Sequence, residues 1–339
     1  MFKLKRVRPL HLALGGLALA AITFLIMWQV SSESFLLLPD RAHPVAPLVR
    51  VAGGHEADDG GGIYFVDVLE QRASLLEAAF PSIHTGASLV PASRIVPPGT
   101  TDAQQRQADL RQMAMSQKVA AAVALRAAGY NVTAVPTGVL VDSVIEGSDA
   151  VGKLQPTDAI VALDGKPIRT IAQLHAALGR LKVGDVAHVG VRRGSKLTTV
   201  SIRTTATKAD PHTAILGLFP EQATNIHLPI SVRIQAGNVG GPSAGLPFAL
   251  EVLEELGRNV DRGHRVAATG ELLPDGTVVP IGGVEQKTYG ARMAHVDVFL
   301  VPAGDNYLTA RRYAHGLRII PVHSFQQALR ALATLPLRR

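Results

Sequence analysis

A serine in a glycine-rich loop and a lysine farther along the chain are the residues whose types and setting best suggest chemistry. Ser243 lies in the run Gly240–Leu246 (GGPSAGL), which predicts a loop that opens into a helix. N–H groups at a helix N-terminus can hold an anionic oxygen, and glycines let a substrate carbonyl approach the backbone. With Lys287 as its partner, Ser243 is predicted to be the nucleophile of a serine peptidase, and the lysine its base.

Lys287 lies on a predicted helix whose inward face is otherwise small and apolar. Besides the lysine, that face is formed at helical spacing by Val284, Ala291 and Ala294. Burial on such a face disfavours the ammonium form and lowers the lysine pKa toward a value useful for a general base. A neutral amine can then accept the proton of Ser243.

Other interpretations of this pair remain open at the level of sequence. Serine is a common N-cap, so Ser243 can serve only to begin the helix. A glycine-rich loop can also hold a phosphate, but the sequence has no Gly-Lys-Ser/Thr phosphate-loop pattern, which argues against nucleotide hydrolysis. None of the 12 histidines is placed by pattern to act as the base, yet the sequence alone does not exclude one.

Apolar periodicity predicts the elements that position the pair. A strand over Asn225–Ile234 leads into the serine loop. A long helix is predicted over Asp102–Ala128, with Ser116 near its middle as a hydroxyl satisfied within the helix. Ile63–Leu69 is predicted as a strand and Pro81–Thr101 as a loop.

Thr137–Thr205 forms a separate predicted module with a glycine-containing strand, a hairpin at Asp164-Gly165, a short helix and two further strands. This order of elements resembles a PDZ domain of the type attached to bacterial envelope proteases. Its helix spans Thr170–Leu181, and Thr157 stands where such domains usually carry glycine. The resemblance implies that an extended peptide adds to the first strand, with its C-terminal carboxylate held by backbone N–H groups. A folded module that binds no peptide is the alternative. The predicted peptide-binding strand consists of Gly138, Val139, Leu140 and Val141.

The first thirty residues predict a membrane anchor. A basic cluster (Lys3, Lys5, Arg6 and Arg8) precedes the almost wholly apolar stretch Leu10–Val30, which is long enough to cross a bilayer as a helix. Because such a cluster stays in the cytoplasm, the chain after Ser31 is expected to lie outside the cytoplasm. A cleaved signal peptide is the alternative, but it requires a shorter apolar core and a small-residue cleavage site, and residues 31–35 form a poor one.

Composition excludes several classes of protein. The formal net charge of +7 comes from scattered or terminal basic residues without interleaved aromatics, so nucleic acid is not an indicated partner. The absence of cysteine excludes disulfides, thiolate metal sites and a cysteine nucleophile. We predict neither a metal nor a cofactor.

Three motifs around the pair resemble the proteolytic domain of Lon-type serine proteases. They are Gly240–Gly245 (GGPSAG), Ala268–Glu271 (ATGE) and Pro280–Lys287 (PIGGVEQK). In that family the serine is the nucleophile and the lysine is the base, and the spacing of the two residues fits it. Asn238–Gly240 departs from the acidic residue found there in ATP-dependent members.

The resemblance implies roles for three further residues and a domain order. Thr269 is expected to orient the lysine, and Gly241 and Ala244 are expected to support the site. The implied fold is α+β, a Lon-type proteolytic domain (ribosomal protein S5 domain 2-like) with a PDZ-like module, preceded by one transmembrane helix. The predicted segments are a cytoplasmic tail (1–9), a transmembrane helix (10–30), a first proteolytic part with its stalk (31–130), the PDZ-like module (131–207) and a second proteolytic part (208–339).

This combination of anchor, PDZ-like module and proteolytic domain without an ATPase resembles the bacterial YlbL-like proteins. It predicts a single-pass, ATP-independent serine endopeptidase of the cell membrane that hydrolyses membrane or extracytoplasmic polypeptides, which the PDZ-like module presents. The Lon resemblance implies a homo-oligomer. Because the sequence has no phosphate-loop pattern, we predict that the protein needs no nucleotide. The alternative is a catalytically inactive scaffold or regulator that binds protein C-termini, and a third is a protein that cuts only itself.

Overall fold

The helices and strands are described by a computed structural model over residues 9–54, 60–96, 101–207 and 210–338. The α-helices in these ranges are α1 (Pro9–Gln29), α2 (Leu75–Ala79), α3 (Ala92–Ile95), α4 (Asp102–Ala127), α5 (Ile171–Leu178), α6 (Gly245–Glu255), α7 (Val284–Met293), α8 (Asp305–Tyr313) and α9 (Phe325–Ala333).

The strands in the same ranges fall into several sheets. They are β1 (Ser31–Pro39), β2 (His43–Pro44), β3 (Val49–Val51), β4 (Gly62–Phe65), β5 (Val68–Ser74), β6 (Ser88–Pro91), β7 (Thr133–Val144), β8 (Ala159–Leu163), β9 (Lys166–Pro167), β10 (Val186–Arg193), β11 (Lys196–Arg203), β12 (Thr205–Ala206), β13 (Ala214–Ile215), β14 (Leu218–His227), β15 (Val232–Ile234), β16 (Arg265–Ala268), β17 (Glu271–Leu272), β18 (Val278–Val279), β19 (Val298–Pro302) and β20 (Arg318–Val322).

A mostly parallel sheet of order β2-β4-β16-β19-β20 lies at the centre of the part that carries the serine and the lysine. Its side chains alternate between two apolar cores. Val266 and Ala268 pack with α4 and α6 on one face, and Ala267 packs with α7 and α8 on the other. Because helices cover both faces, this part is a mixed α/β layered structure.

Two stretches that are far apart in sequence build the first of these cores. Ile63 and Phe65 of β4 and Met113 of α4 join Leu246 and Phe248 of α6 in one buried cluster. The long helix predicted from the sequence is confirmed to within one residue at its C-terminal end. The chain therefore leaves this core after α4 and returns to it after the PDZ-like module.

The predicted strand over 63–69 is two strands in two different sheets. β4 ends at Phe65, and β5 begins at Val68 in a smaller sheet of order β5-β1-β6. A short apolar run does not reveal at which residue a chain changes sheets, which is why the sequence merged the two strands. The break places Asp67 between them. The predicted loop over 81–101 likewise contains β6 and α3.

The PDZ-like module has its own sheet, of order β11-β10-β8-β7-β14, and its own apolar core. The helix α5 covers this core with Leu174 and Leu178. The strand predicted over 225–234 is also divided, because β14 ends at His227 in the PDZ-like sheet while β15 pairs with β3. The PDZ-like sheet thus continues past residue 207 through β14.

The N-terminal helix α1 contacts α2 and β5, and Leu75 at the start of α2 donates its N–H to the carbonyl of Val30. Many of its described side chains are large, apolar and exposed, including Leu17, Phe24 and Trp28. Within the described ranges no helix is both long and apolar enough to span a bilayer. The basic cluster predicted before this helix lies outside the described residues.

Candidate active site

The serine loop connects β15 to α6 and is held from both sides by backbone hydrogen bonds. Gly241 adopts a left-handed conformation (φ +79°), and its N–H donates to the carbonyl of Asp109 at 2.9 Å. On the other side, the N–H of Gly270 donates to the carbonyl of Ser243 at 2.9 Å. These bonds fix the nucleophile candidate immediately before the N-terminus of α6.

The helix α7 brings Lys287 to this loop. Its side chain is buried, with the residue 4% exposed, and Nζ donates to Oγ of Ser243 at 2.7 Å. Nζ also lies 3.4 Å from Oγ1 of Thr269, whose hydroxyl donates to the carbonyl of Ser243 at 3.2 Å. The structure therefore brings together Ser243, Lys287 and Thr269, which the sequence had singled out.

The environment of Lys287 destabilises its charged form. Burial is the dominant cause and lowers the pKa of Lys287 from 10.5 to about 8, although the negative charges of Asp67 and Glu70 raise it in part. In the described part of the chain Lys287 forms no ion pair within 4 Å. A lone pair is therefore available near neutral pH to accept the proton of Ser243.

Ser243 and Lys287 lie in a cleft of about 920 Å³. Four carboxyl groups line this cleft, and burial raises the pKa of each of them. For Glu271, Coulombic repulsion from Glu221 and Asp142 of the PDZ-like module adds to the effect of burial, and its pKa reaches about 7. A cleft of this size can bury a ligand of several residues. The four acidic residues that line it are Asp67, Glu70, Asp109 and Glu271.

Backbone N–H groups next to the nucleophile are available to a developing oxyanion. The N–H groups of Ser243 and Ala244 make no backbone hydrogen bond within the described residues, and Ala244 is the N-cap of α6. Gly241, which was predicted to support the site, uses its own N–H for Asp109. Its contribution is therefore the left-handed turn, while Ser243 and Ala244 provide the candidate donors.

The peptide-binding strand predicted in the PDZ-like module lies inside its sheet. β7, which carries Gly138–Val141, pairs with β14 on one side and with β8 on the other. Strand addition requires free N–H and C=O groups along an edge, so the predicted position is corrected. Among the described strands β14 forms this edge of the sheet, next to α5. The side chain of Gln222 ties the two elements by accepting a hydrogen bond from the N–H of Ile171 at 3.3 Å.

One group of side chains could contribute ligands to a metal ion. Asp40, His43 and Asp67 have ligand atoms that lie within 4.8 Å of one another. All three are partly exposed, and Nε2 of His43 lies 3.2 Å from Oδ2 of Asp40. This geometry is that of a partly solvated ion-paired group, and it does not bear on the sequence prediction of a metal-free site.

Sequence reasoning missed the surroundings of the pair. Asp67 lies in the segment predicted only as a strand, and Glu70 directly follows that segment. Asp109 lies on a helix whose pattern indicated only packing. No local signal marks these carboxylates, because their position depends on how β5 and α4 approach the serine loop.

Comparisons with known proteins identify two domains. The Lon protease (S16) C-terminal proteolytic domain matches residues 176–334, and the PDZ domain matches residues 110–204. The chain is similar to the Lon protease of Chloroflexus aggregans, with 34% identity over 145 residues, which cover 40% of this chain and 17% of that protein. It is also similar to Lon protease 1 of Sorangium cellulosum, with 36% identity over 95 residues, covering 28% of this chain and 12% of that protein.

The match therefore spans less than a fifth of the length of these curated relatives. Among solved structures, the chain is similar to the PDZ domain of an SdrC-like protein from Listeria innocua, with 30% identity and a TM-score of 0.24. The match covers 25% of this chain and 96% of that structure. Residues 176–334 are thus similar to a Lon-type proteolytic domain, and residues 110–204 are similar to a PDZ domain.

Proposed function

We propose that this chain is a serine endopeptidase in which Ser243 is the nucleophile and Lys287 is the general base. The observation that carries the proposal is the 2.7 Å contact between Nζ of the buried Lys287 and Oγ of Ser243. Burial lowers the pKa of the lysine to about 8, so the neutral amine is accessible under ordinary conditions. Similarity of this region to Lon proteolytic domains supports the same reaction.

The proposed reaction has two half-reactions. The amine of Lys287 accepts the proton of Ser243, and Oγ attacks the scissile carbonyl carbon while the N–H groups of Ser243 and Ala244 stabilise the oxyanion. The lysine then protonates the leaving amine, which breaks the peptide bond and leaves an acyl ester on Ser243. A water molecule deprotonated by Lys287 hydrolyses this ester and restores the serine. Thr269 holds the lysine on this path through its hydroxyl.

The reaction as proposed uses no nucleotide. The sequence contains no Gly-Lys-Ser/Thr phosphate-loop pattern, and the site's chemistry rests on side chains and backbone N–H groups alone. Without an unfoldase, substrates are expected to be unstructured or loosely held segments of polypeptides.

A direct test is covalent labelling of the full-length chain with a fluorophosphonate, together with degradation of an unstructured protein such as casein. We expect labelling and degradation in the wild type and the loss of both in Ser243→Ala, with a fall of about 10³-fold or more. Ser231→Ala, which alters an exposed serine outside the loop, is the matched control and should behave like the wild type. Degradation that is unchanged in Ser243→Ala would contradict the proposal and favour the scaffold alternative.

We also propose that the chain is anchored in the cell membrane by the apolar stretch 10–30, with the proteolytic domain outside the cytoplasm, as in YlbL-like proteins. The exposed apolar side chains of α1 and the basic cluster before it support this. The chain should stay with membranes after an alkaline wash, and Leu17→Arg combined with Ala20→Arg should release it. Release of the wild type by the same wash would overturn the anchor.

The PDZ domain is proposed to present substrate polypeptides along the edge of β14 next to α5. A photo-crosslinking residue at Phe219, which is exposed on β14, should capture a peptide with a free C-terminus. Leu197 on β11 is also exposed, at the opposite edge of the sheet, and is the matched control. Equal capture at both positions would contradict this assignment.

Similarity to Lon-type domains leads us to propose a homo-oligomer as well. Mass photometry of the detergent-extracted chain is expected to give a multiple of the 35.8 kDa protomer. A protomer mass at every accessible concentration would contradict it.

A further inference from the structure

One face of α4 is bound to the serine loop at three points. The guanidinium of Arg106 donates to the carbonyl of Asn238, and the carbonyl of Asp109 accepts from the N–H of Gly241. At the third point, Oγ of Ser116 donates to the carbonyl of Pro242 at 2.9 Å. These contacts run along the loop from its start to the residue before the nucleophile.

The bond made by Ser116 acts on the peptide unit that contains the N–H of Ser243. The carbonyl of Pro242 and that N–H belong to one planar group, so fixing the carbonyl fixes the direction of the N–H. The same N–H is one of the two candidate donors to the oxyanion. The hydroxyl of Ser116 therefore influences the direction of the Ser243 N–H through one rigid peptide unit.

Burial and close packing make this contact specific. Ser116 is 5% exposed, and its hydroxyl bonds across to the loop instead of bonding to a carbonyl of its own helix, which was the sequence interpretation. At Gly245, an added Cβ would lie 3.0 Å from Oγ of Ser116 and 3.1 Å from the N of Leu272. The helix and the loop thus meet at a distance that leaves little room for a side chain.

The PDZ domain holds α4 from its other side. Met115, the neighbour of Ser116, packs against Leu140 and Ala223 of the PDZ sheet, and Arg111 donates to Oγ1 of Thr157 at 2.7 Å. Because α4 is braced between two domains, it offers a fixed platform for the serine loop.

We infer that Ser116 is a positioning residue that holds the Pro242–Ser243 peptide unit so that the Ser243 N–H points at the developing oxyanion. The inference rests on the proposed function, since the oxyanion arises only in that reaction. In this role Ser116 neither contacts the substrate nor transfers a proton. Its removal should therefore lower kcat and leave KM nearly unchanged, because the donor acts mainly in the transition state.

The experiment compares Ser116→Ala and Ser116→Cys with the wild type in the full-length chain. Alanine removes the hydroxyl, whereas cysteine keeps a slightly larger side chain of the same shape that is only a weak donor, so an effect common to both reports loss of the hydrogen bond. Ser148→Ala is the matched control, because it removes a hydroxyl that donates to a backbone carbonyl at 2.7 Å in the PDZ domain. Amide hydrogen exchange of residues 238–246 and peptidase kinetics are measured for each variant.

Both Ser116 variants should show faster amide exchange in residues 238–246, and kcat should fall about tenfold with KM changed less than twofold. Ser148→Ala should match the wild type in both readouts. Wild-type exchange in the loop of both variants would overturn the inference, as would a change in KM alone. If the wild-type chain has no peptidase activity, the proposed function fails, while the exchange of residues 238–246 still decides whether Ser116 holds the loop.

Discussion

Two buried ionisable side chains, one in each domain, have opposite surroundings. Asp158 of the PDZ domain is fully buried and accepts hydrogen bonds from Nε and a terminal nitrogen of Arg193 at 2.7 and 2.6 Å. The N–H of Gln155 donates to it as well, at 2.9 Å. Lys287 of the proteolytic domain is almost as buried, but the partners described for its Nζ are the hydroxyl oxygens of Ser243 and Thr269.

The two buried groups therefore have different consequences for the structure. A buried carboxylate with a full set of partners ties chain segments together, whereas a buried lysine without a counter-ion has its pKa lowered. Asp158 links the turn at Thr157, where φ is +70°, to β10 through Arg193. Lys287 is left with a lowered pKa and a nucleophile as its neighbour, which is the setting expected of a general base.

The largest expected effect is the loss of activity when Lys287, the buried group without a counter-ion, is replaced. Lys287→Met keeps an unbranched side chain but has no basic amine to accept the proton of Ser243, so kcat/KM should fall about 10³-fold in a fluorogenic peptide assay. Lys166→Met, which alters an exposed lysine of the PDZ domain, is the matched control and should have little effect. Activity of Lys287→Met within tenfold of the wild type would show that another group is the base.

Replacement of Asp158, which pairs with Arg193, should lower the stability of the fold and leave activity intact. Asp158→Ala leaves the guanidinium of Arg193 without its carboxylate, so the free energy of unfolding of the PDZ domain should fall by about 3 kcal/mol in urea titration. Asp149→Ala, which breaks an exposed ion pair with Lys153, is the control and should cost less. Under native conditions the fluorophosphonate labelling of Ser243 should change less than twofold. Loss of labelling in a folded Asp158→Ala chain would break the contrast between the two sites.

A smaller effect concerns the stability of the proteolytic domain as a function of pH. Because the folded-state pKa of Lys287 is about 8 and its usual value is 10.5, the protonated lysine costs stability below pH 8, and this cost disappears above 10.5. Lys287→Met should therefore unfold at a higher temperature than the wild type at pH 7, by about 2–4 °C for each kcal/mol gained. The difference should vanish near pH 10.5. A lower Tm for this variant at pH 7 would mean that the lysine stabilises the fold.

The contact between Ser243 and Lys287 and the long helix were predictable because their signals are local. A few residues of sequence are enough to recognise a serine in a glycine loop before a helix, or a lysine on an otherwise apolar helix face. The helix over 102–127 carries a capping box at Thr101 and Gln104 together with a regular apolar stripe. The expected contact of Ser243 with Lys287 then follows from one inward-facing side chain.

Features that depend on which strands pair were not predictable. Strand addition at Gly138–Val141 looked available because nothing local reveals that β14, almost eighty residues later, covers that edge. The role of Ser116 was hidden for the same reason, since its partner Pro242 is 126 residues away. Periodicity specifies the inward face of an element but not the element that packs against it.

The pH dependence of Ser243 labelling by a fluorophosphonate directly tests whether Lys287 is the general base. If the neutral form of Lys287 activates the serine, the second-order rate constant should rise with pH and level off above an inflection at about pH 8. Glu271 lines the same cleft with a pKa of about 7, so Glu271→Gln is the control and should leave that inflection in place. A rate that is flat from pH 7 to 9, or an inflection that disappears in Glu271→Gln, would contradict the account.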